Sequence, residues 1–119
     1  MIDAIALDYR LAPETVFPGS LHDAATAYFR LVDDLKIRPE NILVAGDSAG
    51  GGLTLALLMY LRDNAYPLPA GAILMSPWVG ESIPLNVRLT LILRCRSYHE
   101  LRVLGHECRY RHCTTTQCG

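Results

Sequence analysis

The sequence predicts an α/β domain, a three-layer αβα arrangement with a mostly parallel sheet, of which this chain holds a central slice rather than a complete domain. Three observations carry that prediction. Short apolar runs at residues 2–7 (IDAIAL), 42–45 (ILVA) and 72–75 (AILM) are continuous rather than alternating, as strands covered on both faces are. Segments with helical spacing lie between them, and proline- or glycine-rich turns separate the two kinds of element. Each strand–helix–strand crossover is expected to be right-handed.

The elements follow in order. Residues 2–7 form the first predicted strand and lead into DYRLAPE at 8–14, where Pro13, Pro18 and Gly19 keep the backbone irregular. Ser20, with Asp23 three residues on, suggests a helix N-cap. From there Leu21, Ala24, Ala25, Tyr28, Leu31, Val32 and Leu35 recur at helical spacing and mark one apolar face. Pro39 closes that helix ahead of the strand at 42–45. Residues 53–61 are apolar almost all round, which predicts a helix buried against the sheet, and Pro67 and Pro69 bracket the turn into the strand at 72–75.

Between the second strand and second helix stands GDSAG at 46–50, a serine with glycines two residues before and two after. Alone, such a pattern arises by chance in roughly a few per cent of chains this long. Its position decides the matter: a serine on a sharp strand-to-helix turn is the layout of a nucleophile elbow. The reversal brings the two backbones close together, so Gly46 and Gly50 leave room beside it, while Ser48 is thrust outward in a strained conformation.

Composition narrows the alternatives. The 119 residues suffice for one modest domain, and 50% hydrophobic with 19% charged residues is a globular balance. A formal net charge of −1 argues against nucleic acid. The apolar stretch at 55–61 is far short of the roughly 20 residues that span a bilayer, so no integral membrane segment is expected. No basic N-terminal region precedes an apolar run, and the absence of a visible secretory signal slightly favours the cytoplasm.

Four motifs occur in order: DYRLAPE at 8–14, Phe17-Pro18 followed by Asp23-Ala24, GDSAGG at 46–51, and Ser76-Pro77-Trp78. Together they resemble the hormone-sensitive-lipase branch of the α/β-hydrolases, the GDXG esterases and lipases, over residues 2–80. The resemblance implies a serine carboxylester hydrolase acting on small-molecule esters without metal or organic cofactor. It implies Ser48 as nucleophile, the backbone N–H of Ala49 as an oxyanion-hole donor, and Gly46, Asp47 and Gly50 as the elbow around them. DYRLAPE is implied to be structural support.

The resemblance also implies parts not found in these residues. The family's HGGG segment, which completes the oxyanion hole, would precede Ile2. The family's acid and histidine follow the serine, and downstream of Ser48 the one aspartate is Asp63, carried away by its helix. Glu81, Glu100 and Glu107, with His99, His106 and His112, stand in no family context and read as ordinary surface residues. The chain is therefore expected to be part of a hydrolase and to have little activity alone.

Composition changes after residue 80. Residues 1–80 hold five basic against nine acidic side chains, whereas 81–119 hold six against three, with all four cysteines. Cys95, Cys108, Cys113 and Cys118 form no C-x₂-C pair, so zinc is not expected. Val87, Leu89, Leu91 and Leu93 alternate with Arg88, Thr90 and Arg94, which is compatible with an edge strand. Residues 81–119 otherwise read as a divergent, poorly ordered tail, which a reading-frame shift, a retained intron or a mispredicted gene would produce. Two other functions compete with the hydrolase. One is a catalytically dead remnant serving as a binding or regulatory segment. The other is nucleotide binding, and it fails on spacing, since the third glycine of a dinucleotide fingerprint falls on Leu55 and no G-K-[ST] follows.

Overall fold

A computed structural model describes residues 3–79, 90–97 and 100–103. Its elements are helix α1 (Gly19–Phe29), strand β1 (Leu43–Asp47), helix α2 (Ala49–Asp63) and strands β2 (Gly71–Met75), β3 (Thr90–Ser97) and β4 (Glu100–Val103). They form one sheet in the order β1-β2-β3-β4. β1 and β2 are parallel, with Leu43 opposite Gly71 and Asp47 opposite Met75, joined through α2. β2–β3 and β3–β4 are antiparallel, so the parallel part of the described sheet is the pair around the serine turn.

Both helices cover the same face. Ala24, Ala25 and Tyr28 of α1 pack with Leu57 and Leu61 of α2 and with Ile42, while Val44 joins this cluster from β1. Leu58 of α2 lies on Ala72 and Leu74 of β2. Strand alternation then sends Leu43 and Ala45 of β1, with Met75 of β2, to the opposite face. There Leu43 is 59% and Met75 42% exposed, so the described residues supply the sheet and one of the two helical layers. No described helix is long and apolar enough to cross a membrane.

Three sequence expectations are revised. Residues 3–7 are not a strand: they run irregularly, with Ile5 69% exposed. An apolar run becomes a strand only by ladder hydrogen bonds to a neighbour, and among the described residues β1 pairs only with β2. Ser20 does not cap α1; Pro18 occupies that position and Ser20 lies inside the first turn. Asp23 is instead engaged by Arg10. Finally, the helix face predicted to reach Leu35 is broken by a π-helical turn at Arg30–Asp34. The Leu35 N–H donates five residues back to the Arg30 carbonyl, and the added residue per turn rotates Leu35 into solvent, while Ile37 packs on the core.

The predicted edge strand falls partly on β3, which is an interior strand with β4 beyond it; Val87 and Leu89 lie outside the described residues. Of the rest of the 81–119 tail, Glu100–Val103 form β4, while Cys108, Cys113 and Cys118 lie outside the described residues.

Candidate active site

β1 ends at Asp47 and α2 begins at Ala49, so Ser48 alone makes the reversal. Its backbone sits at φ 52°, ψ −115°, a region that side-chain-bearing residues rarely occupy. The residue is exposed, as are Asp47 and Ala49 beside it. Ala49 opens α2, so its N–H belongs to the first-turn donors that have no intrahelical acceptor, at the positive end of the helix dipole.

Hydrogen bonds hold this turn from the neighbouring strand. The Ser48 N–H donates to the Met75 carbonyl at 2.9 Å. The Ser48 carbonyl accepts from the Gly52 N–H at 3.1 Å and from the Trp78 N–H at 2.9 Å. Inside α2 the buried Thr54 hydroxyl donates to the Gly50 carbonyl at 2.9 Å, so the first turn carries no unpaired buried side-chain oxygen.

The glycines divide unequally. A Cβ on Gly46 would lie 2.2 Å from the Gly50 carbonyl oxygen, so glycine is required there. A Cβ on Gly50 would meet only the Tyr9 hydroxyl, at an ordinary 3.7 Å. The crowding expected at both flanking glycines therefore falls on one of them. It reappears at Gly51, where a Cβ would stand 3.0 Å from Pro77 Cα, and at Gly52, where it would stand 2.3 Å from the Trp78 carbonyl oxygen. Motif reading marked Ser76, Pro77 and Trp78 without giving them a part in this turn; the three consecutive glycines at 50–52 were the signal of a close approach.

DYRLAPE lies beside the turn through Tyr9, which reaches Gly50. The next residue is tied to α1: the Arg10 backbone N–H donates to Asp23 Oδ2 at 3.0 Å, and its guanidinium bonds both Asp23 oxygens, the shortest contact being 2.8 Å. The guanidinium hydrogen bonds, then the backbone N–H, hold the Asp23 carboxyl below the usual aspartate range; the same partner raises the Arg10 guanidinium. A cavity of about 550 Å³ opens between this N-terminal segment, α1, β1 and the start of α2, lined by Ile5, Leu7, Tyr28, Val44 and Leu53 among others. Gly50 touches it and Ser48 does not, so it lies behind the turn.

Among the other acids, Asp63 closes α2 and accepts from Arg62 Nε at 2.8 Å. Fifteen helical residues place it roughly 20 Å along the axis from Ser48. Glu100 begins β4, while Glu81, Glu107, His99, His106 and His112 lie outside the described residues.

A strand, a single strained serine and a helix N-terminus at the edge of a helix-covered sheet define an α/β protein of the elbow type. A family model for the alpha/beta hydrolase fold matches residues 2–90, and the chain belongs to that family. The match passes residue 80, where the motifs stop, and reaches the start of β3. Among curated proteins, an acetyl-hydrolase of Streptomyces hygroscopicus is 47% identical over 74 residues, 62% of this chain and 24% of its own length. An esterase of Acinetobacter venetianus is 37% identical over 97 residues, 77% of this chain and 32% of its own. The crystal structure of an esterase from the bacterial hormone-sensitive lipase family superposes with a TM-score of 0.57 at 49% identity, covering 60% of this chain and 24% of that one. The chain is thus hormone-sensitive-lipase-like within its family, and it spans between about a quarter and a third of the length of these relatives.

Proposed function

We propose that this chain carries the nucleophile of a serine carboxylester hydrolase. Ser48 Oγ attacks the ester carbonyl, the Oγ–acyl bond forms as the carbon–alkoxy bond breaks, and the alcohol departs with a proton. Water then hydrolyses the acyl-enzyme and returns the proton to Ser48. The observation that carries the proposal is the Ser48 conformation, φ 52° and ψ −115°, on an exposed turn between β1 and α2. The Ala49 N–H, at the start of α2, is the donor this geometry offers to the developing oxyanion. Gly46 and Asp47 deliver the strand to the serine, and Gly50 is the second residue of the helix behind it. The acetyl-hydrolase and esterase relatives support small esters as the substrate class.

The proposal assigns residues 1–80 to the hydrolase core, with the family match running on to residue 90, and the rest of 81–119 to a divergent segment. It gives no residue of this chain the part of the base, the triad acid or the second oxyanion donor. Loss of one oxyanion donor lowers rates by about 10²–10³, and loss of triad members by about 10⁴–10⁶. The 119 residues alone are therefore expected to turn over esters slowly. The test compares p-nitrophenyl acetate and butyrate hydrolysis by the chain and by Ser48→Ala. A small serine-dependent excess over the variant is the expected result. Rates typical of complete esterases would refute the incompleteness, and identical rates would make the chain a non-catalytic remnant.

A further inference from the structure

We propose that residues 76–78 form a clamp that fixes the backbone of Ser48, which makes Ser76 and Pro77 positioning residues for it. The Ser48 N–H is bonded to the carbonyl of Met75, the last residue of β2 and the one before this stretch, and the Ser48 carbonyl accepts from the N–H of Trp78 within it. In a regular parallel ladder the two bonds would come from positions two apart; here they are three apart, so the chain takes up one extra residue between them. Ser76 lies in that interval with φ 43°, one of four positive-φ non-glycine residues among those described. Pro77 follows it with φ restricted by its ring.

The helix side is cut to receive the same stretch. Gly51 and Gly52 have no side chain where Pro77 Cα and the Trp78 carbonyl pass, at 3.0 Å and 2.3 Å from where their Cβ atoms would stand. The Ser48 N–H bond to Met75 is the last rung of the β1–β2 ladder; the irregular features are the bond to Trp78, one residue further on than a regular ladder would place it, and the double clearance on the facing helix. The consequence lies in direction. Ser48 holds an unfavourable φ/ψ pair, and the direction in which its side chain leaves the backbone is kept only while that pair is enforced. Released, the residue would relax towards a common backbone region and swing the hydroxyl away.

The clamp itself is independent of the hydrolase reading; its service to a nucleophile rests on that reading, and the experiment separates the two. Amide hydrogen exchange is followed by NMR on the full 119-residue chain, as parent, Ser76→Gly and Ser76→Val. Glycine accepts positive φ, whereas a β-branched residue resists it. The Ser48 and Trp78 amides are expected to exchange roughly a hundredfold slower than free peptide in the parent and in Ser76→Gly, and roughly tenfold faster than that in Ser76→Val, with the rest of the β1–β2 ladder still protected. Should Ser76→Val not fold, Trp78→Pro removes the donor and Trp78→Ala keeps it, and the Ser48 amide reads the difference. Free exchange of both amides in the parent, or unchanged protection in Ser76→Val and in Trp78→Pro, would overturn the clamp. In parallel, the rate at which phenylmethylsulfonyl fluoride sulfonylates Ser48 is expected to fall roughly tenfold in Ser76→Val and to recover in Ser76→Gly, following the conformational effect. If the amides behave as expected but Ser48 of the parent never reacts, the clamp stands and the hydrolase reading falls.

Discussion

At the residue scale, the strain at Ser48 is bearable because the atoms around it leave no other arrangement. The Gly46 site shows how little slack there is: a methyl group there would meet the Gly50 carbonyl oxygen and carbon at 2.2 and 2.4 Å, backbone that cannot step aside without opening the turn. Gly46→Ala is expected to destabilise the fold by on the order of 3 kcal/mol. Gly50→Ala adds a methyl into ordinary contact with the Tyr9 hydroxyl and suits a helix better, so it should be neutral or stabilising by up to about 1 kcal/mol. Urea unfolding of the two variants checks the contrast, and equal losses would refute the unequal crowding. The GDSAG string made the turn legible and located Ser48 on it. It gave Gly46 and Gly50 the same reason, because a symmetric pattern does not show which of two glycines faces a backbone and which faces open space. The part of residues 76–78 was hidden for a different reason: contact across 30 positions, between Ser48 and Trp78, leaves no local periodicity to read.

At the scale of elements, β1, α2 and β2 were readable because each is an apolar run that tertiary packing only confirms. α2 buries Leu58 and Leu61 completely, and Leu58→Ala should cost about 2–5 kcal/mol, measurable as a shift of the urea midpoint. The N-terminal segment was misread, since an apolar run carries no record of whether a pairing edge is present. What holds this segment is polar: Arg10 grips Asp23 through its backbone N–H and guanidinium. Because that grip lowers the Asp23 carboxyl, its contribution is complete above the ordinary aspartate value of about 3.9 and is lost as pH falls below it through the lowered native value. An NMR titration of Asp23 should show a midpoint below the ordinary range, returning to it in Arg10→Gln. An unshifted midpoint in the parent would show that the pair does not persist in solution, as exposed pairs often do not.

At the scale of the molecule, the covered and uncovered faces of the sheet differ. The helical face holds two buried clusters, one around Tyr28, Leu57 and Leu61 and one around Leu58, Ala72 and Leu74, whereas the opposite face presents Leu43 and Met75 to solvent. The fold class was legible from runs that read as buried on both sides. That inference was sound about what the residues require, and one side of β1 and β2 has no cover among the described residues. The ladder direction was not legible beyond the β1–β2 pair, because apolar runs do not distinguish a parallel neighbour from an antiparallel one. Beside the open face, the outer edge of β1 has no strand partner among the described residues and presents free backbone donors and acceptors. Apolar surface next to an open edge is what drives strand-to-strand association. The chain is therefore expected to self-associate at micromolar concentrations and above, and Leu43→Lys, placing a charge on that face beside the edge, should shift it towards monomer. Because Leu43 is largely exposed, the substitution should change unfolding free energy by no more than about 0.5 kcal/mol, so a change in association would not be a folding defect in disguise. Sedimentation velocity across a concentration series, alongside urea unfolding of the same samples, measures both. Unaltered association in Leu43→Lys would place the contact elsewhere and leave this face without consequence for solution behaviour.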